Sequence, residues 1–165
     1  MIATSKTYIQ IIMNDQISPI ELKFKKINEN AVLPKRTNIL NSVGDTGYDL
    51  YAIEDSKIEK NSTKRIEVGL QISYITPGYW FRIESRSGLF FKNNITAFPG
   101  IIDNSYRGVL GIALTNHSSM DEYIVKKGDR IAQLVLYKLI EPVISWCDEI
   151  QSTERGANGF GSSGN

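Results

Sequence analysis

One cysteine, one histidine and a single unit of net charge are all that this chain of 165 residues offers in three features that often reveal a chemistry. The lone Cys147 excludes an intrachain disulfide and any cysteine zinc cluster, and it fits a reducing compartment. No histidine or cation adjoins it in sequence, so it reads as structural. His117, in Asn116-His117-Ser118-Ser119, has no neighbour at metal-ligand spacing and reads as a solvent-exposed side chain rather than a base. A formal charge of +1 argues against a general nucleic-acid surface, which shows as a basic excess. Any anionic ligand must then be met by local arginines and backbone N–H groups.

Long apolar runs are missing as well. Nothing approaches the roughly 18 consecutive apolar residues of a membrane span. The patch Tyr8-Ile9-Gln10-Ile11-Ile12-Met13 is too short and too interrupted for a signal-peptide core, and there is no arginine-rich transit pattern. Residues 1–20 therefore read as an extension, either a strand or a flexible arm. With no targeting segment recognised, a cytoplasmic or nuclear location is expected, with neither membrane nor nucleic acid as partner. Helical periodicity is nearly absent too.

What the chain has is period-two alternation. A composition 41% hydrophobic and 22% charged is that of a globular domain. Residues 21–27 alternate apolar and charged side chains, and residues 57–75 alternate β-branched and polar ones, with Gly69 at a bulge or bend. After the turn Thr76-Pro77-Gly78, residues 79–84 alternate again. Residues 109–116, 122–126, 130–139 and 142–146 are each compatible with a strand, and 131–136 reads as buried on both faces. Only residues 85–94 suit a helix, and a short one. The expectation is one all-β domain over residues 21–150, a sandwich, barrel or jelly roll. Residues 151–165, small, polar and glycine-rich, form a mobile tail.

Several stretches carry chemistry. In Gly100-Ile101-Ile102-Asp103-Asn104-Ser105-Tyr106-Arg107-Gly108, an apolar strand runs into a carboxylate, turn-forming Asn-Ser and an aromatic ring, which reads as a hairpin. Asp103 there either caps the turn or does chemistry. Arg86-Ser87-Gly88 offers a permanent cation, a hydroxyl and a glycine backbone that an anion can approach closely, although a plain helix N-cap has the same letters. Gln133, just inside a strand, is a core amide or a ligand contact. Asp129 and Arg130 read as a structural ion pair or turn cap. Arg155-Gly156-Ala157-Asn158-Gly159-Phe160-Gly161-Ser162-Ser163 sets an arginine, a phenylalanine and two hydroxyls on a glycine-rich strip, with no lysine to make a P-loop. Such a strip is a disordered terminus or a lid over a phosphorylated ligand.

Residues 45–52, 84–89, 100–108, 128–134 and 155–164, in that order and spacing, resemble the five motifs of the trimeric deoxyuridine triphosphatases (dUTPases). The similarity spans about residues 22–164. It implies a jelly-roll-like β fold, a homotrimer with shared active sites, and hydrolysis of dUTP to dUMP and pyrophosphate with Mg²⁺ held mainly by the triphosphate and water. Asp103 then matches the carboxylate that activates the attacking water, and Tyr106 the ring beneath the deoxyribose that leaves no room for a 2′-hydroxyl. Backbone at Gly100, Ile101, Ile102 and Gly111 would read the uracil edge. Arg86, Ser87, Gly88 and Gln133 match phosphate contacts. Arg155, Phe160, Gly161 and Ser162 match a tail that closes over the nucleotide, with Phe160 stacked on uracil. Asp49 matches a motif acid of structural or supporting role, and no direct protein ligand for the metal is expected.

The chain departs from the family at Glu84-Ser85, where a small residue and a proline are usual, and at Phe90-Phe91, which is bulkier than usual. Deoxycytidine triphosphate deaminases share the fold, but the glutamate they need falls here on Ala113. A non-catalytic trimeric β module would be expected to have lost Asp103, Tyr106 or the tail, and all are present.

Overall fold

Alternation becomes strand nearly everywhere it occurs in the computed structural model, which describes residues 19–39 and 43–157. In chain order come β1 (Leu22–Lys26), β2 (Tyr48–Tyr51), β3 (Ser56–Ile58), β4 (Ser62–Ile75), β5 (Tyr79–Glu84), the short helix α1 (Ser87–Asn93), β6 (Ile95–Ala97), β7 (Ile101–Ile102), β8 (Val109–Asn116), β9 (Tyr123–Val125) and β10 (Arg130–Lys138). One sheet has the order β1-β4-β8-β6 and the other β2-β10-β5-β7, while β3 and β9 form a separate ribbon. These strands pair antiparallel throughout both sheets and the ribbon.

The two sheets bury one face each against a common core. Along β8, Leu110, Ile112, Leu114 and Asn116 are buried while Val109, Gly111, Ala113 and Thr115 are half-exposed. Leu50, Phe81, Ile83, Ile131 and Leu134 supply the opposing layer. Each such side chain contributes about 1.5–3 kcal/mol of burial. The result is the expected jelly-roll-like β-sandwich with one short helix. Residues 131–134 are buried except for half-buried Gln133, whereas Val135 and Leu136 are only half-buried.

Gly69 is the bend expected of it. Its φ of +66° suits glycine, its carbonyl accepts from Ile27 N at 3.0 Å, and the β4–β8 register shifts between Glu67 and Gln71. The bend lets one long strand serve β8 along its first half and β1 along its second.

Three local readings change. Residues 100–108 are not a hairpin, because β7 pairs with β5 and β8 with β4 and β6, in different sheets. Asp103–Tyr106 is a turn, closed by Tyr106 N on Asp103 O at 3.0 Å, that carries the chain from one sheet to the other. Residues 142–146 form no strand; β2 and β5 occupy both edges of β10, so the segment cannot fold back onto the strand it follows. Cys147 is exposed rather than packed. His117 is exposed as expected, its Nε2 lying 2.7 Å from Thr96 Oγ1. Residues 1–18, including the apolar patch 8–13, lie outside the described residues.

A Cβ at Gly69 would lie 2.9–3.0 Å from side-chain atoms of Ala31, Asn28 and Ile53, whereas one at Gly78, φ +80°, would meet nothing within 4 Å. Gly69→Ala should therefore cost about 1–3 kcal/mol of crowding beyond the ~1–2 kcal/mol of left-handed backbone strain that Gly78→Ala also carries. Urea midpoints at unchanged slope measure both, and equal losses would refute the packing account.

Candidate active site

A cavity of about 310 Å³ opens where β5 runs into α1, walled by Asp45, Thr46, Gly47 and Asp49 on one side and Arg86, Ser87, Gly88 and Gln133 on the other. Register builds this wall. Asp49 pairs with Gln133 across β2 and β10, and Gln133 with Glu84 across β10 and β5, so three polar side chains share one face in a row. The chain then leaves β5 through Ser85, whose hydroxyl donates to Ala97 O at 3.0 Å and accepts from Ala97 N at 2.8 Å. Gln133 Nε2 donates to Ser85 O at 2.8 Å, and no side chain would fit at Gly47, because a Cβ there would overlap the Gln133 amide.

Arg86 is the N-cap of α1, with extended backbone at φ −96°, ψ 125° and no side-chain capping bond. The helix does begin at Arg86-Ser87-Gly88, as the plain N-cap reading has it, but without a side-chain capping bond, and the same three residues line the cavity. Leu89 N and Phe90 N bond to Arg86 O, while Ser87 N and Gly88 N precede the first helical hydrogen bonds. Space beside Gly88 is open.

The carboxylate of Asp49 is the electrostatic centre of the wall. Its side chain is only 8% exposed, with Oδ1 2.9 Å from Arg86 Nε and Oδ2 3.2 Å from Arg130 Nη1. Asp49 is the buried member of this trio, whereas Arg130 is 44% exposed, so solvent screens the Arg130 pair more than the Arg86 pair. Asp45 is held by Thr37 Oγ1 at 2.7 Å and Asn38 Nδ2 at 3.1 Å. Glu84 stands beside Gln133 but contacts Arg82 Nε at 3.0 Å, a charge contact rather than an aligned hydrogen bond, and is not part of the cavity wall.

Asp103 lies elsewhere. It follows Ile102, which pairs with Phe81, so it stands level with Trp80, whereas Arg86 follows the far end of β5. That separation is roughly 20 Å at about 3.3 Å per residue. The turn holding Asp103 is clamped by Asn104, whose Nδ2 is within 3.3 Å of Ile75 O, 3.0 Å of Thr76 O and 2.8 Å of Tyr79 O. Asn104 thus reaches the distant β4–β5 corner instead of making the local turn bond that Asn-Ser suggests. Tyr106 donates to Val109 O at 3.1 Å, its ring over Gly108, and is 41% exposed. The Asp103 carboxylate is exposed and has no hydrogen bond or ion pair among the described residues. The outer edge of β7 and the β6-side edge of β8 over residues 109–112 have no strand partner among the described residues. Gly100 O accepts from Ile83 N at 2.9 Å, and Gly111 lies under the Arg65 guanidinium.

One chain therefore gathers Arg86, Ser87, Gly88 and Gln133, and holds Gly100, Ile101, Ile102, Asp103, Tyr106 and Gly111 apart from them. Arg155 is on the exposed segment before the turn at Gly156, and Phe160, Gly161 and Ser162 lie outside the described residues. Thr37 and Asp45 on the cavity wall were not among the expected site residues, and of the two readings of Asp129-Arg130 the turn cap holds while the ion pair does not. Asp129 accepts from Lys126 N at 2.8 Å as a turn cap, and Arg130 reaches back to Asp49. A larger hollow of about 540 Å³ between Phe90, Phe91 and residues 116–123 holds none of the candidate site residues.

The family model described as dUTPase matches residues 34–164. The deoxyuridine 5′-triphosphate nucleotidohydrolase of Solanum lycopersicum is 42% identical over 142 residues, covering 86% of this chain and 80% of its own. That of Yarrowia lipolytica is 42% identical over 147 residues, covering 88% and 90%. Among solved structures, the dUTPase of Staphylococcus bacteriophage 80alpha with dUpNHpp superposes with a TM-score of 0.77 at 30% identity, covering 88% of this chain and 99% of that one. A variant dUTPase from phage phi11 of S. aureus, described as coordinating a structural Mg(II) ion, gives 0.70 at 25% identity, covering 80% and 99%.

Proposed function

The chain belongs to the dUTPase family, and from that premise we propose that it hydrolyses dUTP to dUMP and pyrophosphate, limiting uracil incorporation into DNA and supplying dUMP for thymidylate synthesis. The observation that carries this reading is the cavity walled by Arg86, Ser87, Gly88 and Gln133, which joins a permanent cation, a hydroxyl, backbone N–H groups and an amide at one opening. A polyanionic substrate needs neutralisation and alignment above all, and these groups supply both.

In the proposed chemistry, Asp103 takes a proton from the water that attacks the α-phosphorus, a role suited to an exposed carboxylate with no partner among the described residues. Tyr106 lies under the deoxyribose and excludes a 2′-hydroxyl. Backbone groups at Gly100, Ile101, Ile102 and Gly111, on the splayed β7 and β8, read the uracil edge. The Mg²⁺ ion is carried mainly by the triphosphate and water, because Asp49 is committed to two guanidinium groups and Asp45 to Thr37 and Asn38. When bound, the ion neutralises and draws together phosphate oxygens.

A carboxylate and a phosphate cavity at opposite ends of β5 cannot meet on one nucleotide in one chain. A homotrimer with shared active sites resolves this, each site combining Asp103 of one copy with Arg86 of another. The segment after β10 supports assembly, since Ile140, Val143, Ile144 and Trp146 are 82–102% exposed. Apolar side chains so exposed call for a cover. An apolar groove of about 430 Å³ formed by Leu22, Phe24, Leu33, Tyr48, Leu134 and Leu136 offers one on a second copy. Residues 151–165 then act as the lid, bringing Arg155, Phe160, Gly161 and Ser162 over the bound nucleotide.

Pyrophosphate release should be far faster from dUTP than from dTTP, dCTP or UTP, and equal rates across that panel would sink the assignment. Asp103→Asn should lower kcat by about 10²–10⁴-fold while still binding a non-hydrolysable dUTP analogue in a calorimetric titration. Truncation after Thr153 should depress turnover but leave a trimer on sizing, and a monomer would contradict the division of labour between the segment after β10 and the lid.

A further inference from the structure

The Arg86 guanidinium carries five N–H donors in a rigid fork. Two are occupied inside the protein, Nε on Asp49 Oδ1 at 2.9 Å and Nη1 on the backbone carbonyl of Arg130 at 3.0 Å. Asp49 gives its other oxygen to the Arg130 side chain at 3.2 Å. One carboxylate is thus shared by two permanent cations. Asp49 and Arg86 line the cavity, and Arg130 is not part of its wall. An isolated Asp49–Arg86 pair would present no net charge to a ligand; two arginines on that carboxylate leave the cluster one positive unit, set against the wall's other carboxylate, Asp45, whose side-chain partners Thr37 and Asn38 are neutral.

We propose that Arg130 is a positioning residue for phosphate binding: it draws on Asp49 so that this carboxylate does not cancel Arg86, and its carbonyl fixes the plane of Arg86. The proposal rests on the reading of the cavity as the phosphate site. A purely local role for Arg130 beside Asp129 is not what the geometry offers, because Asp129 caps the Lys126 turn. Arg130 touches no substrate in this account and acts through Asp49 and Arg86.

The test is Arg130→Gln in the full chain, read by dUTP kinetics and, independently of turnover, by calorimetric binding of inorganic tripolyphosphate with Mg²⁺. KM for dUTP and Kd for tripolyphosphate should both rise about tenfold, with kcat changing much less. Arg130→Lys should recover part of the loss. The double variant Asp49→Asn/Arg130→Gln removes one negative and one positive charge, leaves Arg86 uncancelled, and should bind tripolyphosphate better than Arg130→Gln alone. Unchanged tripolyphosphate affinity in an Arg130→Gln protein of normal size and melting temperature would overturn the proposal, as would a double variant no better than the single one. If the wild-type protein binds tripolyphosphate but releases no pyrophosphate from dUTP, the functional reading fails instead. If it turns over dUTP and Arg130→Gln matches it, only the role of Arg130 fails.

Discussion

The antiparallel register of β10 between β2 and β5 is the constraint on which the rest depends. Because Gln133 faces Asp49 on one side and Glu84 on the other, a carboxylate from early in the chain, an amide from late in it and the exit of β5 meet in one row. A slip of one residue would turn Gln133 into the core and bring Leu134, now 1% exposed, to the cavity. Core packing and site assembly are therefore specified by the same pairing. The hydrophobic face of β10 holds the polar face in register.

That row also explains why one short helix interrupts an all-β chain. Ser85 is tied to Ala97 by two hydrogen bonds and to Gln133 by a third, so residues 86–96 must leave the sheet and return to the point of departure. A two-turn helix does this while presenting Ser87 and Gly88 at its open end. Arg86, at the junction, is oriented by Asp49 from one sheet strand and by the Arg130 carbonyl from another.

Alternating side chains made most of the strands legible, and the glycine in a long alternating run made the bend at Gly69 legible. The candidate site residues stood out through spaced motifs, each ambiguous when taken alone. Sequence was weaker where partners are distant. Arg130 has an acid immediately before it, yet its partner is Asp49 across a sheet pairing. Asn104 has local turn partners available, yet it clamps carbonyls at the β4–β5 corner. Residues 142–146 have letters compatible with a strand, but both edges of the strand before them are taken, and such letters carry no information about vacancy. The β7–β8 stretch has hairpin letters because a crossing turn and a hairpin turn both need short polar side chains.

The Asn104 clamp has a mechanical corollary. It references the Asp103 carboxylate to the corner of its own sandwich, while Arg86 and Gln133 are referenced to the β2-β10-β5 row. If the two halves of a working site come from different copies, each half is rigid within its own body and the only soft coordinate is the relation between bodies. The rate then gauges quaternary geometry, as a caliper reads the gap between two stiff jaws. Small displacements at subunit contacts far from the nucleotide would register as changes in turnover, and specific activity would fall on dilution as copies part, with each fold intact.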